Sequence, residues 1–176
     1  MTADEEERAW QRACARQAAS DLDVYEILCR EAGLPSCHRL HYLQMALEKM
    51  AKAYAWDPDQ RDQRSPEFAR SHAVASKVLP AAFREYWRVT TPSRMPPGVL
   101  LKKVRAFCRE VELLAPAVDD GGRRPDNCEY PWADGDGDAR RVHVPADHRF
   151  EVEDMAGRQE ARQMLKFVRS WLTDHR

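Results

Sequence analysis

Leu40, Leu43, Leu47, Met50 and Tyr54 recur at alternating three- and four-residue steps, and no other feature of this chain limits its fold as strongly. At 3.6 residues per turn that spacing lines all five side chains along one face of a helix, whereas a strand would scatter them over both faces. A helix with such a face has to bury it against another element. Glu48 and Lys52 stand on its polar side at i,i+4, in the order that favours an ion pair, with Lys49 one residue round.

Four further segments carry the same periodicity. Thr2 and Glu5 form a capping box, after which Trp10, Cys14, Ala18, Leu22, Tyr25, Cys29 and Ala32 keep helical spacing up to Gly33. Gly33 suits a left-handed helix end and Pro35 stops the helix, so the first two helices are predicted to be antiparallel neighbours. Ser65-Pro66-Glu67 supplies a cap, an N1 proline and an acidic first turn for a third helix. Its stripe is Phe68, His72, Ala75, Leu79, Ala82 and Tyr86, and Pro80 is expected to kink or split it. Leu100, Val104, Phe107, Val111 and Leu114 mark a fourth helix behind Pro96-Pro97-Gly98. Met155, Met164, Leu165, Val168 and Leu172 mark a last one, roughly Val152 to Leu172. Between these two, the pattern gives way to Gly, Pro and Asp. The expectation is an all-α, antiparallel bundle of about five helices, a single domain over residues 1–176, with a long irregular loop at 116–150 before the last helix. Loops of that length inside a compact domain concentrate function.

A chain of 176 residues can bury a core without covalent staples. Its five cysteines are odd in number and lack a Cys-x-x-Cys pair, which reads as reduced, mostly buried thiols. Twenty-eight basic against 29 acidic side chains argue against a surface coated for nonspecific nucleic-acid binding, while leaving room for local basic patches. The N-terminus is acidic and no apolar run approaches the roughly 18 residues of a membrane span, so the expected location is cytoplasmic, with no membrane contact. Asp134, Asp136 and Asp138 are spaced like the first ligands of a calcium loop, but Ala139 takes its glycine position and Pro145 that of its bidentate glutamate. Cys37, His38 and His41 have zinc-ligand chemistry without a second pair at suitable spacing. With no Gly-rich phosphate loop and no nucleophile elbow either, neither metal nor cofactor is expected.

The run Gln44-x-Ala46-x-Glu48-Lys49-x-x-Lys52-Ala53, followed by Ser71-His72, resembles the paired helices of the HEPN domain family, mainly over residues 38–87. That resemblance implies a nucleotide- or RNA-binding helical domain. It would act as a homodimer, or in a complex with a partner protein, within a prokaryotic defence, stress or toxin–antitoxin system. Many members are metal-independent ribonucleases whose Arg-x4–6-His motifs meet across a dimer, with His as acid or base and Arg stabilising charge on the phosphate. Two spacings fit: Arg141 with His148, and Arg169 with His175 at the extreme C-terminus. The first, placed after the fourth helix, is the candidate catalytic pair. Asn127-Cys128-Glu129-Tyr130-Pro131-Trp132 resembles an Arg-Tyr-Pro-like turn of one branch, with Glu129 in place of the basic residue and Arg123 and Arg124 just upstream.

The candidate nucleotide or RNA contacts are therefore Lys49, Lys52, Arg70, Arg123, Arg124, Tyr130 and Trp132. Each has a structural alternative: Tyr130 and Trp132 can fold the loop back onto the bundle, the lysines and Arg70 can be solvated helix charges, and His72 can be a packed histidine. Two functions follow. One is a binding subunit without robust catalysis of its own; the other is a metal-independent endoribonuclease with a composite Arg/His site.

Overall fold

The computed structural model describes residues 2–56, 70–91 and 96–175. Six α-helices and one small hairpin occur among them: α1 (Ala3–Leu28), α2 (Ser36–Ala55), α3 (Ala75–Thr90), α4 (Gly98–Glu112), β1 (Trp132–Asp134), β2 (Arg141–His143), α5 (Glu151–Ala156) and α6 (Gln159–His175). The all-α bundle is the observed architecture. No helix of the described residues is long and apolar enough to cross a membrane.

Helix α2 is the axis of the bundle. It lies along α1 and also meets α3, α4 and α6. Leu40, Leu43, Leu47, Met50 and Tyr54 are all buried, as their spacing requires, and Ala46, Ala51 and Ala53 extend the covered surface round most of the helix. Each large apolar side chain sealed there contributes roughly 1.5–3 kcal/mol. Glu48, placed by the sequence on the polar side, is only 6% exposed, because the wrapped helix leaves little of its circumference to solvent.

Several boundaries differ from expectation. The Thr2–Glu5 capping box forms, but α1 ends at Leu28, ahead of Gly33. The positions beyond have nothing to bury: Cys29 and Ala32 are exposed. The last turns of α1 instead carry Asp23 and Glu26, which oppose the helix dipole, and α6 offsets them with Arg169, whose Nη1 donates to Asp23 at 2.6 Å and Nε to Glu26 at 3.3 Å.

Helix α3 begins at Ala75, and residues 71–74 are not helical, so His72 leaves the stripe assigned to it. The Ser65-Pro66-Glu67 start and Phe68 lie outside the described residues. No side chain of its own caps α3; Glu112 of α4 does so, accepting from Ser76 N at 2.8 Å and Ser76 Oγ at 2.7 Å. A buried carboxylate at a helix N-terminus satisfies an orphan donor and meets the positive end of the dipole. Pro80 does not split the helix. The last predicted helix, by contrast, divides at Gly157–Arg158 into α5 and α6. Phe150 and Val152, buried at the start of α5, pin it to the core. All five cysteines are free thiols; Cys37, Cys108 and Cys128 are buried and Cys29 is exposed.

Candidate nucleic-acid interface

The segment expected to be irregular has an internal scaffold. Asn127 Oδ1 accepts from the backbone of Glu129 at 3.0 Å and of Tyr130 at 2.7 Å, which folds the Glu129–Trp132 turn. Cys128 anchors that turn to the C-terminal end of α4, its N–H donating to the Leu114 carbonyl at 3.0 Å and its Sγ to the same oxygen at 3.3 Å. Burial pushes the Cys128 thiol up to about 12, so it acts as packing and not as a nucleophile.

Beyond the turn, Trp132 pairs with His143, Ala133 with Val142 and Asp134 with Arg141 in an antiparallel hairpin. Gly135 opens its connection at φ +78°, and a Cβ there would lie 2.7 Å from the Ala139 carbonyl oxygen, so only glycine fits. Trp132 is 8% exposed and belongs to the core. The His143 ring stacks on it at 5.5 Å between centroids and the His148 ring meets it edge-on at 4.9 Å, while Phe150 closes the cluster at 4.7 Å from His148.

Trp132, His143 and His148 floor a cleft of about 530 Å³ whose walls include Arg123, Arg124, Asp126, Asp134, Arg149 and Glu151. That volume suits a small ligand or one nucleotide of a strand. His143 and His148 lie 6.3 Å apart by centroid. His143 Nε2 approaches Asp134 Oδ1 at 3.0 Å without the alignment of a hydrogen bond. The arginines are already paired. Arg124 donates to Asp126 at 3.0 Å and to Glu110 at 3.1 Å, and these carboxylates hold its guanidinium pKa above the ordinary arginine value. Arg123 meets Asp120 at 3.2 Å, and Arg149 meets Asp154. An incoming anion has to compete with these carboxylates.

The sequence candidates separate accordingly. His148, Arg123, Arg124 and Trp132 converge on the cleft, but Trp132 is its floor and not a free stacking surface. Tyr130, 61% exposed, lines a neighbouring groove with His41, Tyr42 and Glu129. Arg141 is exposed on β2 and does not line the cleft. It shares a sheet face with His143, two residues on, instead of facing His148 directly. Arg169 is taken up by α1, and His175 stacks on Trp171 at 4.0 Å.

Lys49 and Lys52 are taken up by internal carboxylates. Lys49 Nζ pairs with Asp21 of α1 at 2.7 Å. Lys52 Nζ donates to Glu48 at 2.7 Å. Gln44 Nε2 donates to Glu48 at 2.8 Å and His72 Nδ1 stands 2.9 Å from the same carboxylate. Burial alone would raise the Glu48 carboxyl, yet the hydrogen bonds from Lys52, His72 and Gln44 outweigh it and hold the group below the usual carboxylate range. Arg70 is exposed.

His143 and Arg149 were missed by spacing arguments. For His143 the signal lies in the hairpin, since the alternation Arg141-Val142-His143 is too short to show as a strand before its partner is known, and Arg149, outside the hairpin, carries no pattern of its own. Among the described residues no group of three or more His, Cys, Asp or Glu is arranged to hold a metal ion. No family model, curated protein or solved structure matches the chain.

Proposed function

We propose that the protein is a HEPN-like nucleotide- or RNA-binding subunit, working as a homodimer or with a partner protein in a prokaryotic defence, stress or toxin–antitoxin system, and that the hairpin cleft receives a phosphate of its ligand. The family and the system rest on the Gln44–Ala53 and Ser71-His72 resemblance. The observation that carries the binding site is the convergence of Arg123, Arg124, Arg149, His143 and His148 on one cleft beside the exposed Tyr130 ring. Because the arginines are carboxylate-paired, binding should be moderate and weaken steeply with salt. The test is fluorescence anisotropy with labelled single-stranded RNA. Tyr130→Ala should weaken binding at least about fivefold through loss of base stacking. Arg149→Glu should weaken it for all sequences alike, with melting temperature unchanged in both variants. Wild-type affinity in both would refute the site.

One observation favours a second reading, a metal-independent endoribonuclease. Two imidazoles 6.3 Å apart on one cleft can act as a base towards a ribose hydroxyl and an acid towards the leaving oxygen. Arg141, on the sheet face it shares with His143 and Asp134, or the same residue of a second copy, would then supply the phosphate-stabilising charge. RNA cleavage in a chelator, lost in His148→Gln and His143→Gln without loss of folding, would establish it. Undiminished cleavage in those variants would exclude it.

A further inference from the structure

The hairpin cleft is charge-balanced; the contact between α3 and α4 is not. On α3, Lys77, Ala81, Arg84 and Arg88 follow one another at steps of four, three and four, which sets them in a single stripe, and the three cations are exposed. On α4, Lys102 and Arg105 are exposed along the facing edge. Where α3 and α4 pack, a groove of about 460 Å³ runs between the rows, floored by Pro80, Ala81 and Leu101 and edged by Arg84, Lys102 and Arg105, with no carboxylate in its lining. Among the described residues Lys77, Lys102 and Arg105 have no ion-pair partner. Glu85 is the one acid of α3; it pairs with Arg88 at 2.9 Å and reaches Arg84 only at 3.9 Å.

A chain with a net charge of −1 has thus gathered unneutralised positive charge along two adjacent helices, at the cost of mutual repulsion in the free protein. From Lys77 to Arg88 the stripe is about 16 Å long, three helical turns. We infer that this groove is the docking site for an acidic amphipathic helix of a partner protein, whose apolar side chains seat on Pro80, Ala81 and Leu101 and whose carboxylates meet the two cationic rows. The floor decides against a nucleic-acid strand as the occupant: it has no aromatic ring on which a base could stack, and its apolar width would be wasted under a phosphate backbone. The inference is independent of the hairpin cleft, since it uses none of the same residues.

The test uses three fluorescent probes on the full chain: a helical peptide with Glu and Asp flanking Leu at i, i+3 and i+7, the same peptide with each Leu replaced by Ser, and a single-stranded oligouridine. The first peptide should bind saturably. The Leu-free peptide should bind at least tenfold more weakly, and the Arg84→Glu/Arg105→Glu variant should lose at least tenfold for the first peptide while keeping the wild-type melting temperature. Amide shifts on titration should centre on Ala81, Leu101 and Lys102. Equal binding of both peptides, or displacement of the first by oligouridine at matching concentration, would show a general polyanion surface and overturn the inference. Self-association of the chain that Arg84→Glu/Arg105→Glu abolishes would assign the groove to a second copy and overturn it equally, as would no binding of the first peptide.

Discussion

Glu48→Gln tests whether the polar network inside the bundle is a stabilising element. The substitution keeps the volume and one acceptor oxygen, but it removes the charge that Lys52 and His72 meet at 2.7 and 2.9 Å. A hydrogen bond to a charged group contributes about 1.5–3 kcal/mol and a neutral one about 0.5–1.5 kcal/mol, so each of these two bonds should lose about 1 kcal/mol. His72 is half exposed and recovers part of its loss by hydration, whereas Lys52 is largely covered and is left without a counter-charge. The net expectation is a destabilisation of about 2 kcal/mol at neutral pH, or about 4–8 °C in melting temperature for a chain of this size.

The sign of the pH dependence follows from the depressed carboxyl. The folded state holds Glu48 ionised where the unfolded state has begun to bind its proton, so this contribution is complete above the ordinary carboxylate range and is lost as the pH falls through the lower folded value. Urea unfolding of the wild type and Glu48→Gln across about pH 7 to pH 3 should therefore give two stability curves that converge on acidification. A difference below about 0.5 kcal/mol at neutral pH, or one that stays constant into acid, would refute the assignment of Glu48 as an ionised, internally paired group.

Three other substitutions separate the structural roles. Glu112→Ala removes the one side-chain cap of α3 among the described residues and should cost about 1–2 kcal/mol, with exchange of the Ser76 amide accelerated in hydrogen-exchange measurements. Gly135→Ala forces a Cβ to within 2.7 Å of the Ala139 carbonyl at positive φ; it should cost about 1–3 kcal/mol and loosen the hairpin, seen as loss of cross-strand contacts between Trp132 and His143 by NMR. Trp132→Ala empties a core position and should cost about 3–5 kcal/mol, while Tyr130→Ala, two residues away but exposed, should stay within about 0.5 kcal/mol. Equal effects of the last pair on thermal unfolding would contradict the placement of the turn.

The helical pattern is legible wherever an apolar stripe is long and its burial does not depend on where the helix ends, as in α2 and α4. It misled where a boundary depended on another part of the chain. No capping signal ends α1 at Leu28; the exposed positions beyond it have no surface to pack against. Nothing local starts α3 at Ala75; the cap comes from Glu112, 36 residues later. The hairpin was illegible for a related reason. Each strand has three residues, too short to establish alternation, and its stability comes from Trp132 entering a core built by helices.

The same dependence bears on the residues through which the sequence resembles a family. Gln44, Glu48, Lys52 and His72 look like surface chemistry when α2 is drawn alone, yet in the fold they meet at one carboxylate, and Lys49 bridges to α1. A pattern of this kind fixes how α2 is held against its neighbours. Its cations are spent on internal partners, so it supplies no free charge for a ligand. The two sites proposed above differ in kind: a cleft whose arginines must exchange one set of anions for another, and a groove where Lys102 and Arg105 have no anion to give up and Arg84 has only Glu85 at 3.9 Å. Raising the salt should therefore weaken RNA at the hairpin and an acidic helix at α3–α4 alike, but only Arg84→Glu/Arg105→Glu should abolish the second while leaving the first intact.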